Sequence, residues 1–146
     1  LSLPIYSLMA AEAGDMNRAF RYFDASLRTD ISNIHNNVSE GIHTACIGAT
    51  WQTFINGFAG VRVEKGMLSI APNLPKTWRK ALFSLHWRSN LIKFEVNNDK
   101  VKIQLIPEKK GSTKIKVFGT LHEISGNRVF TFTRKTKRSK RESYYL

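Results

Sequence analysis

Residues 40–70 contain the point at which a helical sequence pattern gives way to a strand pattern. The stretch EGIHTACIGATWQTFINGFAG (residues 40–60) is followed directly by VRVEKGMLSI (residues 61–70). The first stretch lacks Pro and is rich in small and apolar residues, which predicts a helix from about His43 to about Phe58. The second has two short apolar runs on either side of Glu64-Lys65-Gly66, a pattern typical of a β-hairpin.

Two more helices are predicted upstream of this stretch, joined by a short turn. Residues 8–13 are good helix formers, and Gly14 follows at a position that suits a C-cap. Asp15 suits the N-cap of the next helix, which is predicted over residues 16–28. Its apolar side chains recur at helical spacing, which predicts that the two helices pack as a hairpin. The polar segment 29–39 predicts a loop before the third helix.

Downstream of a linker marked by Pro72 and Pro75, the hydrophobic pattern has a period of two. Short strands are predicted at residues 81–87, 91–96, 100–106, 113–118, 120–124 and 128–133. Strands at this spacing favour an antiparallel β-sandwich. Because helices come first and strands after, we predict an α+β fold and not an α/β repeat. The predicted units are residues 1–62, residues 63–133 and a basic tail at residues 134–146.

The net charge of +12 is concentrated in the second half of the chain. Residues 64–133 carry 13 basic and 5 acidic side chains, and residues 134–146 carry 6 and 1. A basic surface can attract nucleic acid or an acidic membrane. Lysines that alternate with apolar residues are explained more simply by the solvated face of a sheet, so a nucleic-acid partner is not expected there. The basic tail has the charge to bind nucleic acid or anionic lipid. A solvated, disordered segment or a shifted reading frame explains the same residues more simply, and we favour these two explanations.

Two residue types limit the functional classes further. The single cysteine, Cys46, excludes an internal disulfide, fits a cytoplasmic location, and in a mostly apolar helix is better read as a core residue than as a nucleophile. No run of about 18 apolar residues is present, so no membrane-spanning helix is predicted. The tryptophans are similarly expected to be core residues more often than sugar-stacking platforms. They are Trp51, Trp78 and Trp87.

The stretch 40–60 also carries the residues with chemical potential. Gly41 and Gly48 permit close approach of the backbone to a ligand, and His43 supplies a donor that can be charged near neutral pH. Thr50 adds a hydroxyl, and Glu40 is placed to orient His43 or to cap the helix. Together with a helix N-terminus these groups suit an oxyanion such as phosphate. Spacing alone leaves a structural role for the histidine open.

Motifs within residues 40–60 resemble those of a known enzyme family. Glu40-Gly41-Ile42-His43, Gly48-Ala49-Thr50-Trp51-Gln52 and Gly57-Phe58-Ala59-Gly60 resemble the Glu-Gly-Ile-His, Gly-Gly-Thr-Trp-Gln and Gly-Phe-Gly-Gly motifs of glycoside hydrolase family 65. That family includes maltose, trehalose, kojibiose and nigerose phosphorylases. The likeness continues downstream and covers about residues 1–105. Its downstream positions are Val61-Arg62, Gly66, Leu68, Pro72, Leu74-Pro75 and Trp78.

The resemblance implies the last helices of an (α/α)6 catalytic barrel followed by a small antiparallel β-sandwich domain. It implies an inverting phosphorolysis in which phosphate attacks the anomeric carbon, a Glu general acid protonates the leaving oxygen, and β-glucose 1-phosphate forms. His43 matches the family's phosphate-binding histidine; Thr50 is a weaker candidate for the same pocket, with Glu40, Gly41 and Gly48 in support. Ala49 departs from the second Gly of the motif, which narrows the backbone approach.

The resemblance also sets the expected limits of this chain. The family's general acid lies well upstream, so no catalytic residue is assigned here and the chain is expected to be inactive alone. Disaccharide and inorganic phosphate are the expected substrates, with no cofactor and no metal, and the family is compatible with a homodimer. Two alternatives stay open: a hydrolytic relative such as a trehalase or kojibiose glucosidase of the same family, and a non-catalytic basic β-domain that binds carbohydrate or nucleic acid.

Overall fold

The computed structural model describes residues 2–33, 36, 39, 41–109 and 111–135. Within them the helices come first: α1 (Ser2–Glu12), α2 (Met16–Leu27) and α3 (Thr44–Gln52), the last continued by a π-helical segment (Thr53–Phe58). Eight strands follow in the described part: β1 (Val61–Glu64), β2 (Met67–Ile70), β3 (Ala81–Trp87), β4 (Asn90–Val96), β5 (Lys100–Pro107), β6 (Ser112–Val117), β7 (Thr120–Ser125) and β8 (Val129–Thr133). The predicted α+β class is confirmed.

Helices α1 and α2 form the predicted hairpin. Asp15 caps α2, and its carboxylate accepts a hydrogen bond from the backbone N–H of Arg18 at 3.1 Å. Gly14 has a φ of +83°, which fits its predicted position after α1. The buried hydroxyl of Ser7 donates to the carbonyl oxygen of Ala19 at 2.7 Å and so ties the two helices together. Helix α1 begins earlier than predicted, at Ser2.

The predicted third helix has the expected extent but two geometries. It is α-helical to Gln52 and π-helical over Thr53–Phe58, with the N–H of Ala59 bonded to the carbonyl of Phe54 five residues back. Side-chain bonds of Thr53 accompany the change: its buried hydroxyl lies 2.9 Å from the carbonyl oxygens of both Pro4 and Ala49. The π-helical segment is thereby joined to α1, and the apolar side chain of Phe58 is fully buried.

The strands form two four-stranded sheets with the orders β1-β2-β6-β7 and β3-β4-β5-β8. All strand pairs are antiparallel except β2–β6, which is parallel. The connection from β7 to β8 crosses from one sheet to the other. On β5, Val101, Ile103 and Leu105 are completely buried while Lys100 and Lys102 are exposed. The basic charge of this strand therefore lies on a solvated face, as the alternation predicts.

The helical and β-sheet parts share one hydrophobic core. Trp78, in the linker between β2 and β3, lies at the junction, with its ring 5.3 Å from that of Phe58 and 5.8 Å from that of Phe23. Phe54 reaches Phe83 of the sheet at 5.8 Å. Trp78 is thus a packing residue, whereas Trp51 is 52% exposed. Helix gives way to strand between Phe58 and Val61. The division into separate domains near residue 62 stays a prediction.

Of the predicted basic tail, only its beginning is described. The guanidinium of Arg134 donates to the carbonyl oxygens of Asn98 at 2.8 Å and Pro72 at 2.5 Å, and it lies 4.6 Å from the ring of Phe118. Arg134 is therefore bound to the β-sandwich. Residues 136–146, which carry most of the predicted tail, lie outside the described residues.

The side chain of Asn98 holds the linker in place, and its removal is expected to be destabilising. Its amide oxygen accepts from the N–H of Leu74 at 2.6 Å, and its amide nitrogen donates to the Leu74 carbonyl at 3.1 Å. Asn98→Ala leaves both partly buried backbone groups without these bonds, which should cost about 1–3 kcal/mol in the free energy of unfolding measured with urea. Asn97→Ala is the matched control, because its bonds to the turn are exposed and water replaces them. Equal losses in both variants would contradict this account.

Candidate functional site

His43 lies at the start of α3 and makes two hydrogen bonds to Asp30, which lies in the loop after α2. One carboxylate oxygen of Asp30 is 2.5 Å from Nδ1 of the His43 ring, and the other accepts the backbone N–H of His43 at 3.1 Å. The two side chains are 31% and 19% exposed. His43 is also the N-cap residue of α3. The two hydrogen bonds to Asp30 therefore fix both the His43 ring and the backbone at the start of α3.

The electrostatics of this pair favour an ionised Asp30. The hydrogen bond from the His43 ring lowers the pKa of the Asp30 carboxyl below its usual value of 3.8; partial desolvation opposes this, and the His43 backbone N–H adds to it. An ionised carboxylate only accepts hydrogen bonds. Nδ1 of His43 must therefore carry a proton, and any contact between this ring and a ligand oxygen must be made through Nε2.

Asp30 is a partner of the candidate residue His43 that the sequence pattern does not predict. In the sequence Asp24 and Asp30 are separated by the end of a helix and the start of a loop, so the spacing does not predict that they form a catalytic pair. The structure gives them separate partners: Asp24 pairs with Arg28 at 2.9 Å, and Asp30 pairs with His43. One signal was present, because Asp30 is the only acidic residue in the predicted loop 29–39. Nothing in the spacing indicates that it reaches a residue 13 positions further along the chain.

The two candidate glycines, Gly41 and Gly48, are exposed. A Cβ added to Gly41 or Gly48 would meet nothing within 4 Å. Gly41 has a φ of +113°, a conformation that L-residues rarely adopt, and it directly precedes Ile42-His43. The predicted roles of the two glycines in ligand approach stay predictions. Glu40, expected to orient His43 or to cap the helix, lies outside the described residues.

Thr50 lies on the buried side of α3. Its hydroxyl donates to the carbonyl oxygen of Cys46 at 2.7 Å and is hydrogen-bonded to the hydroxyl of Ser26 on α2. The sulfur of Cys46 is buried beside them, 3.8 Å from Oγ of Ser26 and 3.9 Å from Oγ1 of Thr29. This polar cluster joins α2 to α3. Cys46 is a buried residue, as predicted; a phosphate contact by Thr50 stays a prediction, and its hydroxyl already has two protein partners.

A groove of about 410 Å³ runs between α2 and α3 on the same side as Thr50. Most of its lining is apolar, with Phe23, Leu27, Ile31, Ile47, Trp51 and Phe54 among the contributing residues. Asp30 also lines it and brings negative charge to its edge. A phosphate dianion is unsuited to a groove whose lining is mostly apolar, because little there replaces its hydration. The groove therefore gives no support to a phosphate contact within it, and the contacts predicted for His43 and Gly41 stay predictions.

Neither a cluster of metal-binding side chains nor a membrane-spanning helix is present in the described part of the chain. Residues 2–33, 36, 39, 41–109 and 111–135 contain no group of three or more His, Cys, Asp or Glu side chains that could hold a metal ion. The helices in the same residues are all too short or too polar to cross a membrane.

Comparison with known proteins identifies the family. Residues 1–52 match the profile of the glycosyl hydrolase family 65 central catalytic domain, and residues 61–124 match that of the glycosyl hydrolase family 65 C-terminal domain. The chain belongs to glycoside hydrolase family 65. The helices α1–α3 thus fall in the part matched by the family's catalytic domain, and His43 falls in it with them. The match extends to residue 124, beyond the expected residue 105.

The relatives of this family 65 chain include several phosphorylases. It is 34% identical over 125 residues to the α,α-trehalose phosphorylase of Geobacillus stearothermophilus, covering 86% of the chain and 16% of the relative. It is 35% identical over 114 residues to the kojibiose phosphorylase of Halothermothrix orenii, covering 78% and 15%. A solved structure assigned as a kojibiose phosphorylase from the human microbiome superposes with a TM-score of 0.81 at 28% identity, covering 92% of the chain and 17% of that protein. The chain thus spans about one sixth of the length of these relatives.

The lowered pKa of Asp30 predicts how acid affects stability. A carboxyl group whose pKa is lower in the folded state stabilises the fold above its unfolded pKa of about 3.8, and this stabilisation is lost as the pH falls through the lower, folded value. Asp30→Asn removes the effect. We therefore expect the variant to be less stable than the wild type at pH 6 and the difference to shrink below about pH 4. Urea unfolding followed by tryptophan fluorescence measures this, and a difference that is the same at pH 3 and pH 6 would contradict it.

Proposed function

We propose that this chain supplies the phosphate-binding side of the active site of an inverting α-glucoside phosphorylase. The observation that carries the proposal is the position of His43. It lies at the start of α3, its ring is fixed by Asp30, and it belongs to the segment that matches the family's catalytic domain. The exposed glycine at position 41 adds open backbone beside it. The phosphorylase names of the relatives support the same class of reaction.

The proposed reaction is the phosphorolysis of an α-linked disaccharide. An oxygen of inorganic phosphate attacks the anomeric carbon of the glucosyl residue from the face opposite the leaving sugar. The glycosidic bond breaks, a Glu general acid protonates the departing oxygen, and β-glucose 1-phosphate forms with inversion. Phosphate takes the place that an activated water has in an inverting hydrolase. His43 binds and orients the phosphate through Nε2; we assign none of these 146 residues as the general acid.

The proposal includes the conditions under which the enzyme works. Inorganic phosphate is a co-substrate and no cofactor takes part. The disaccharide and phosphate bind to the complete active site. The enzyme is cytoplasmic, forms a homodimer and does not bind nucleic acid. The exposed lysines of β5 alternate with fully buried residues, as on any solvated sheet face. Their positions are therefore explained without a nucleic-acid partner. Gel-shift assays with random DNA at physiological salt should show no binding beyond the weak, salt-sensitive association expected of any chain with a net charge of +12.

The test uses a fusion enzyme, in which this chain replaces the matching C-terminal segment of the G. stearothermophilus trehalose phosphorylase. The fusion is mixed with trehalose and inorganic phosphate, and β-glucose 1-phosphate is measured. We expect phosphorolysis by the fusion and none by the 146-residue chain alone. Circular dichroism and size-exclusion chromatography, with the intact relative as reference, show whether the fusion is folded and in which oligomeric state.

The outcomes separate the competing functions. Glucose 1-phosphate formation that requires both phosphate and His43 supports the proposal. Release of glucose from trehalose at the same rate without phosphate would instead favour a hydrolytic relative. A fusion that is folded like the intact phosphorylase but releases neither product would count against a catalytic role, in favour of a non-catalytic β-domain.

A further inference from the structure

Asp30 contacts His43 in a way that a helix-capping role alone does not require. A carboxylate that only stabilised the start of α3 would need to accept the backbone N–H of His43, as its Oδ2 does at 3.1 Å. Its second oxygen instead lies 2.5 Å from the ring nitrogen Nδ1. The same carboxylate thus sets the position of the backbone and the orientation of the ring.

We infer that Asp30 is a positioning residue of the phosphate site, which holds the proton of His43 on Nδ1 so that the ring meets phosphate through Nε2. This inference rests on the proposed function for its ligand, but not for its geometry. An ionised carboxylate has no proton to donate, so the short contact requires Nδ1–H. A histidine whose one nitrogen is fixed in this way has its tautomer and its ring direction determined by that partner.

The fixed tautomer has a chemical consequence for phosphate binding. When the ring is neutral, the proton on Nδ1 leaves a lone pair on Nε2, which accepts a hydrogen bond from a protonated phosphate oxygen. When the ring is doubly protonated, Nε2–H donates to an unprotonated phosphate oxygen, and Asp30 balances the positive charge from the other side. Phosphate near neutral pH offers both kinds of oxygen. Without the Asp30 carboxylate, this contact no longer favours the proton on Nδ1 over the proton on Nε2.

The decisive measurement is the tautomer of His43, read by ¹⁵N NMR of the complete 146-residue chain. The protonated and unprotonated nitrogens of a neutral imidazole resonate far apart, so the spectrum reports directly which nitrogen carries the proton. The chain has four histidines, and the spectrum of His43→Gln identifies the signals that belong to His43. Spectra are compared for the wild type, Asp30→Asn, Asp30→Glu and Asp24→Asn. Asp24 is the matched control, because it is a carboxylate of α2 paired with Arg28 and not with His43.

We expect an Nδ1–H ring in the wild type and in Asp24→Asn, a mixture of tautomers in Asp30→Asn, and partial return to Nδ1–H in Asp30→Glu. A merely structural carboxylate would leave the tautomer unchanged in every folded variant, and that result would overturn the inference. If Asp30→Asn fails to fold, the wild-type spectrum alone still decides, since a neutral ring with its proton on Nε2 cannot donate a hydrogen bond from Nδ1 to the Asp30 carboxylate.

Titration with inorganic phosphate separates this inference from the proposed function. If both hold, phosphate shifts the Nε2 signal of the wild-type chain, and Asp30→Asn weakens the apparent affinity about 10-fold or more, by analogy with the loss seen when the partner that orients a metal-ligating histidine is removed. A second outcome is that the Nδ1–H tautomer depends on Asp30 but His43 does not respond to phosphate, either in the chain or in the fusion enzyme. That outcome supports the positioning role of Asp30 and contradicts phosphate as the ligand. The reverse result, a phosphate response of equal strength in Asp30→Asn, contradicts the positioning role alone.

Discussion

Gly60→Ala is expected to lower the free energy of unfolding of the chain by on the order of 3 kcal/mol. Gly60 joins the π-helical segment to β1 and has a φ of +65°, where an L-residue carries a strain of about 1–3 kcal/mol. A Cβ at this position would also overlap the carbonyl group of Ala71, which is backbone and has little freedom to move. The N–H of Ala71 is bonded to the Gly60 carbonyl at 3.1 Å, so the two segments cannot separate without breaking that bond. Urea unfolding of both proteins measures the loss.

Gly48→Ala is the matched control for this substitution. Gly48 lies in α3, its φ is not positive, and an added Cβ meets nothing within 4 Å. Alanine is favoured over glycine inside a helix by about 1 kcal/mol, so this variant should be as stable as the wild type or more so. Similar losses in both variants would contradict the assignment of Gly60 as a conformational requirement. In the fusion enzyme, Gly48→Ala further tests whether ligand approach requires a glycine there: activity should fall although stability does not.

The elements of the fold follow largely from local sequence signals. Gly14 and Asp15 mark the end of one helix and the start of the next, and both act as expected. The alternation of lysine with Val101, Ile103 and Leu105 identifies β5 and its buried face. These features are predictable because turn, cap and alternation signals depend on residues close together in the chain. The order of strands in the sheets cannot be predicted from such local signals, because the parallel pairing of β2 with β6 joins segments more than 40 residues apart.

In the candidate site too, residues adjacent in the sequence are predictable, whereas contacts between distant segments are not. The motif around residue 43 identifies His43 and the glycines because its residues are adjacent in sequence. The partner of His43 was not identified, since Asp30 reaches it across a loop whose path is set by the packing of α2 on α3. The motif also does not predict the buried partner of Thr50, which faces Ser26 and the interior, while a phosphate contact by its hydroxyl stays a prediction. Which face of a helix a polar residue occupies depends on what packs against that helix.

His43→Ala in the fusion enzyme is expected to lower kcat/KM for phosphate about 10- to 100-fold. A hydrogen bond that involves a charged partner contributes about 1.5–3 kcal/mol, and each 1.4 kcal/mol corresponds to a factor of ten. The loss should appear mainly as a higher KM for phosphate, because the histidine is proposed to bind the nucleophile and not to transfer a proton to the leaving sugar. The KM for trehalose, which depends on the remainder of the active site, should change little. Initial rates at varied phosphate and trehalose concentrations give both constants.

Two further variants decide whether such a loss belongs to the ring of His43. His43→Gln places an amide N–H near the position of Nε2 without a charge, so its KM for phosphate should lie between those of the wild type and His43→Ala. His86→Ala removes an exposed histidine from β3, in the β-sandwich, and should leave both constants unchanged. If His43→Ala lowers kcat while the KM for phosphate stays the same, the histidine acts on a later step than phosphate binding. Because Nδ1 is already bonded to Asp30, such a result would assign Nε2 to the transition state and not to the bound phosphate.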